Sequence, residues 1–204
     1  MIIKIHQKYY DLSNFVKIHP GGEKILESCE GIDATNAFES YHVFSDFNKI
    51  KKMMKMYECS NPPYEIKSVD STFNKNEFYD CLKTKVKKYF NNKSTKWTYP
   101  WLFTFISTFS IYFVTFLYTF LGIHEHFTYR IISSIISAAS LMSWMLQGLH
   151  DATHSAVSKY KIVNATISHI GSGLALWDWT TWIKHHCVLH HSFTGNYKLD
   201  PDMR

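Results

Sequence analysis

Two uncharged apolar runs narrow the folds open to this chain more than any other feature. Trp101 to Ile123 gives 23 residues without a formal charge, and Ile131 to Leu149 gives 19 more. At 1.5 Å per residue the first run reaches about 34 Å as a helix, enough to cross a bilayer. The second is less hydrophobic, and its serines and alanines let helices approach closely. Lys83, Lys85, Lys87, Lys88, Lys93 and Lys96 precede the first run, whereas the link between the runs carries Arg130 against Glu125. The positive-inside rule then puts both ends of the pair, and both chain termini, in the cytosol.

The rest of the composition fits that arrangement. The formal charge of +5 comes from lysines gathered before an apolar run, which suits anionic head groups and excludes a nucleic-acid partner. Cys29, Cys59, Cys81 and Cys187 show no CxxC or paired spacing, so free thiols in a reducing compartment are expected. The opening MIIKIHQKYY lacks the long apolar run and cleavage site of a signal peptide. Ile162 to Trp177 is a third apolar stretch, but at 16 residues with Asn164 and His169 inside it reads as an interfacial helix, with Trp177, Trp179 and Trp182 at head-group depth.

Ahead of the spans, residues 1–58 form a small mixed segment. Ile2 to Ile5 and Tyr9 to Leu12 read as strands, with helices following. Ser60 to Lys75 reads as a linker entered through Pro62 and Pro63, and Glu77 to Phe90 as a basic amphipathic helix. The expected organisation is therefore residues 1–58, a linker and basic helix over 59–98, and a membrane region over 99–204.

Histidines carry the chemistry. His150 and His154 stand in HDATH, and His186, His190 and His191 in HHCVLHH. Residues four apart share a helix face, so His150/His154 and His186/His190 can each converge on one ion, and neutral imidazole suits iron, zinc or copper. Asp151 is a candidate outer-shell partner that orients an imidazole. His6 reads as a turn residue and His185 as an exposed neighbour of His186. His124 and His126 fall on the far side of the membrane. Near the N-terminus, HPGG at His19 to Gly22 combines a proline that fixes the backbone with two glycines that clear space for a flat cofactor. His42 follows, and Ile25, Leu26, Phe38, Phe44, Phe47, Ile50 and Met54 offer an apolar slot.

From Ile2 to Tyr57 this string resembles the cytochrome b5 family. The resemblance implies a small α+β fold and b-type haem, with His19 and His42 as axial ligands. Members of that family usually carry an extra opening strand and helix ahead of the part matched by YYDLSNF, so a marginal domain is expected without its cofactor. HDATH, HHCVLHHSFT and the later DPD at Asp200 to Asp202 resemble the membrane fatty acyl desaturases. With the N-terminal domain, the combination is most similar to the front-end group, of delta-5 and delta-6 type.

That second resemblance implies iron held by His150, His154, His186, His190 and His191, an acyl substrate in membrane lipid, and an electron-transfer reductase as donor. It also implies a multi-pass protein of the endoplasmic reticulum. No catalytic residue is assigned with it. The family's third histidine box has no counterpart before Arg204, and TGN at Thr194 to Asn196 stands where the family more often shows TN. The expectation is a delta-5 desaturase-like protein of lipid metabolism, truncated, with an incomplete di-iron set and no desaturase activity of its own. The alternatives are a membrane-anchored haem electron carrier and a partial lipid hydroxylase.

Overall fold

The computed structural model describes residues 1–66, 77–91, 93–122 and 126–203. It falls into two compact units: residues 1–94 with 180–204, and residues 95–179. Residues 180–204 thus group with the N-terminal segment rather than with the apolar helices. The middle of the expected linker and His124 lie outside the described residues.

In the first unit, β1 (Ile2–Ile5) and β2 (Lys8–Asp11) form an antiparallel hairpin, and β3 (Glu58–Cys59) pairs with the outer side of β2. His6 and Gln7 between the first two strands both take positive φ, 49° and 65°, the twist that a two-residue hairpin turn requires. That turn starts β2 one residue earlier than the sequence suggests. Short helices follow: α1 (Glu23–Glu27), α2 (Thr35–Tyr41) and α3 (Phe47–Met54). The Asp46 carboxylate caps α3 by accepting from the Asn48 and Lys49 amides. The basic helix α4 (Glu77–Phe90) has the expected bounds, and its Lys83 reaches Glu39 of α2 at 3.4 Å.

The core of this unit joins Ile3, Ile5, Tyr10, Leu12, Phe15, Cys29 and Ala34 to Val188, which comes from a π-helix at Ile183–His190. Val188 is 1% exposed and Cys187 fully buried. Asn36 Nδ2 donates to the Ser192 carbonyl at 3.0 Å, and the Tyr41 hydroxyl to the Cys187 carbonyl at 3.4 Å. A segment more than 120 residues from the strands in sequence therefore completes their apolar core.

The second unit contains α5 (Tyr99–Phe120), α6 (Phe127–Thr153) and α7 (Lys161–Leu174). Thr98 caps α5 by accepting from the Trp101 amide, and Gly122 at φ 63° ends the helical path two residues after Phe120. No residue of α5 is buried; Phe103 and Phe120 are 73% and 74% exposed. A 22-residue helix with so many exposed phenylalanines suits hydrocarbon better than water. Along α6 the buried positions include Ser133, Ser137 and Gly148. Thr119 and Ser133 hydroxyls meet at 2.7 Å, and a Cβ on Gly148 would come within 2.5 Å of the Phe105 ring, so small residues let α5 and α6 pack closely. At 14 residues α7 is too short to span.

Candidate functional site

In the first unit, His19 ends a 3₁₀ turn (Val16–Ile18) and His42 sits at the C-terminal cap of α2. Their ring centroids are 6.4 Å apart. His19 Nδ1 lies 3.0 Å from the Gly22 carbonyl, and His42 Nδ1 lies 2.8 Å from the Phe38 carbonyl. A carbonyl only accepts, so each Nδ1 carries the proton and each Nε2 the lone pair, as a metal ligand requires. Two imidazoles on opposite sides of one iron, with bonds of about 2 Å and about 1.2 Å from nitrogen to ring centre, would put their centroids about 6 Å apart. The residues present fit a bis-imidazole haem.

The glycines of HPGG have separable tasks. A Cβ on Gly21 would stand 2.8 Å from His19 Cε1, so its absence makes room for the imidazole itself. Gly22 adopts φ 98°, a conformation that only glycine takes without strain. Of the expected slot residues, Ile25, Leu26, Phe38 and Met54 pack half-buried against the core. The Phe38 ring lies 4.6 Å from His42 and 6.0 Å from Phe47. Phe44 instead meets Phe90 of α4 edge-on, at 5.8 Å.

The π-helix changes which histidines meet. Its hydrogen bonds run five residues back, and the His191 amide donates to the His186 carbonyl. His186 and His191 therefore share a face, with Nε2 atoms 3.1 Å apart. That separation suits two nitrogens in adjacent positions on one ion with bonds of about 2 Å. His190, which α-helical spacing pairs with His186, turns its Nδ1 to Asp200 at 2.9 Å and Asp202 at 3.0 Å. The His190 hydrogen bond, joined by those from the Gly195 and Asp202 amides, holds the Asp200 carboxyl down to about 2. His185 Nε2 meets Asp202 at 2.6 Å. Reading the sequence singled out DPD without giving its aspartates this task; two carboxylates flanking a proline ten residues past a histidine were the available signal.

In the second unit, His150 lies in the last turn of α6 and His154 at its cap, with ring centroids 4.8 Å apart. Asp151 Oδ1 is 3.0 Å from His150 Nδ1, while its Oδ2 accepts from Trp101 Nε1 at 2.8 Å. Gln147 Nε2 donates to the Trp101 carbonyl at 2.7 Å, so a chain of hydrogen bonds from α5 steadies the first histidine. His169 of α7 packs against Trp179, their centroids 4.2 Å apart.

Residues 1–60 match the family described as cytochrome b5-like heme/steroid binding domain. Across 98% of its length the chain is 30% identical to the probable Delta(5) fatty acid desaturase C of Dictyostelium discoideum, covering 43% of that protein. Over nearly its whole length the chain is similar to front-end fatty acid desaturases, and its first 60 residues match a cytochrome b5-like domain. Delta(5) fatty acid desaturase A of Dictyostelium discoideum is 28% identical over 98% of the chain and 43% of its own length. Acyl-lipid (8-3)-desaturase of Mortierella alpina is 25% identical over the whole chain and 45% of its own length. The chain thus spans less than half the length of the curated proteins it matches. No solved structure matches it. The domain match supports haem, and two helices are long and apolar enough to cross a membrane, in keeping with the desaturases that the chain resembles.

Proposed function

We propose that this protein takes part in delta-5-type desaturation of acyl lipid, with His19 and His42 as the axial ligands of b-type haem. His150, His154, His186, His190 and His191 are its iron ligands. Bound haem accepts electrons one at a time from a reductase, and bound iron supplies the oxygen activation needed to remove hydrogens from an acyl chain. The chain's own residues set the ligand nitrogens: Nδ1–H of His19 and His42 donates to a backbone carbonyl and that of His150 to Asp151, which keeps the proton on Nδ1 and leaves the lone pair on Nε2. The proposed setting is the endoplasmic reticulum membrane, with both termini cytosolic and the α7 stretch at the lipid surface.

The carrying observation is the 6.4 Å spacing of the His19 and His42 rings, with both Nδ1 atoms committed to carbonyls. A Soret band of bis-imidazole character in the purified chain supports the haem half; a chain that binds no haem refutes it. Reconstitution of residues 1–204 with ferrous iron, reductant, dioxygen and an acyl lipid tests the other half. Unsaturated product means that the five histidines suffice, and its absence agrees with a need for further ligands. In that second outcome, haem binding leaves a membrane-anchored electron carrier, the reading that the domain match favours.

A further inference from the structure

We propose that Asp200 is a positioning residue for His190: with help from Asp202 it holds the imidazole in the tautomer that presents Nε2 to a metal ion. The proposal deepens the iron-ligand reading above and rests on it. The Asp200 side chain is almost sealed from solvent, at 1% residue exposure, and its two oxygens are aimed by backbone donors. Oδ2 accepts from the Gly195 amide at 2.8 Å; Oδ1 accepts from the Asp202 amide at 3.0 Å and from His190 Nδ1 at 2.9 Å.

The surrounding loop is built for this. Gly195 takes φ 77°, which turns its amide toward the carboxylate at low strain. Thr194 Oγ1 donates to the His190 carbonyl at 2.7 Å, and the Asp200 amide to the Asn196 carbonyl at 2.9 Å. Pro201 opens a 3₁₀ turn, Pro201–Met203, that brings the second carboxylate round: Asp202 Oδ2 lies 3.0 Å from His190 Nδ1 and its Oδ1 2.6 Å from His185 Nε2.

Neither carboxylate can donate, so the His190 proton sits on Nδ1 and the lone pair on Nε2. Negative charge behind the ring also raises the basicity of the ligand nitrogen. Asp200 already receives three donors, so its lone pairs orient the ring rather than a metal.

The test uses the full, haem-loaded chain with ¹⁵N-labelled histidine at pH 7.5. Two-bond ¹H–¹⁵N correlation without added metal should show His190 as the Nδ1–H tautomer, and Asp200→Ala should move it toward Nε2–H. Co²⁺ titrated alone should bind about 10–100-fold more weakly to Asp200→Ala than to the parent, while the Soret band is unchanged. Asp202→Asn should shift both readouts in the same direction by less.

An unchanged tautomer in Asp200→Ala, or a Co²⁺ affinity within about twofold of the parent, would overturn the proposal. If Asp200→Ala loses its Soret band through misfolding, the isosteric Asp200→Asn carries the same two measurements with the same criteria. A parent chain that binds no Co²⁺ but shows the tautomer shift would sink the iron-ligand reading and leave the orienting role of Asp200 standing.

Discussion

His186 and His191 face each other nitrogen to nitrogen, 3.1 Å apart, because a π-helix puts residues five apart on one side. Replacing either with alanine should weaken Co²⁺ binding by about tenfold or more, and the double variant should be little worse than each single one, since the two act on one ion. Titration followed by cobalt absorbance checks this. Strictly additive losses would show that the pair does not share an ion.

The proposed haem ligands offer a sharper contrast. His19→Ala and His42→Ala should each abolish the bis-imidazole Soret band. Gly21→Ala should keep both ligands yet lower haem retention, because the added methyl would press on His19 Cε1 at 2.8 Å. Overpacking of this kind costs about 1–3 kcal/mol. Haem transfer to apomyoglobin should therefore be roughly tenfold faster in this variant, and an unchanged rate contradicts the reading.

Val188 belongs to the core of the strands although it sits among the histidines of the second cluster. Val188→Ala should cost the haem-bearing unit about 2 kcal/mol and lower the melting midpoint followed at the Soret band by roughly 10 °C. The same substitution at an exposed position such as Val163 of α7 should leave that midpoint within a degree or two.

Burial pushes the Cys29 thiol up to about 12 from an ordinary 9.0. At pH 8 a thiol reagent should therefore label Cys81, which is exposed, and Cys59, half-buried, well before Cys29 or the buried Cys187. The folded state holds the Cys29 proton more tightly than the unfolded chain does. Its contribution to stability is thus full below about pH 9 and is lost as pH rises toward 12. Peptide mapping after brief labelling, with and without denaturant, reads the order of reaction.

Several elements were legible because their causes are local. The alternation and β-branching of Ile2 to Ile5 mark a strand, the proline-free basic pattern after residue 76 marks α4, and uncharged length marks α5 and α6. The first span ends earlier than its apolar run because Gly122 takes a left-handed conformation that hydropathy does not register. The pairing of His186 was not legible: histidines at i, i+4 and i+5 satisfy an α-helix or a π-helix equally well. Only the hydrogen bond from the His191 amide to the His186 carbonyl selects between them.

From residue types and spacing alone came a haem-type motif near the N-terminus, two helices long and apolar enough for a bilayer, and two histidine clusters. These are short-range facts, written in runs of a few to some twenty residues. Which nitrogen meets which partner was settled by folding at long range. Asn36 reaches Ser192 across 156 residues, and Val188 enters a core built by β1 and β2. Asp200 takes the Nδ1–H of His190, whose ring still stacks beside His186 with centroids 5.6 Å apart. A buried carboxylate must find donors and an apolar side chain must leave water, and those demands are met by whatever the tertiary fold brings near.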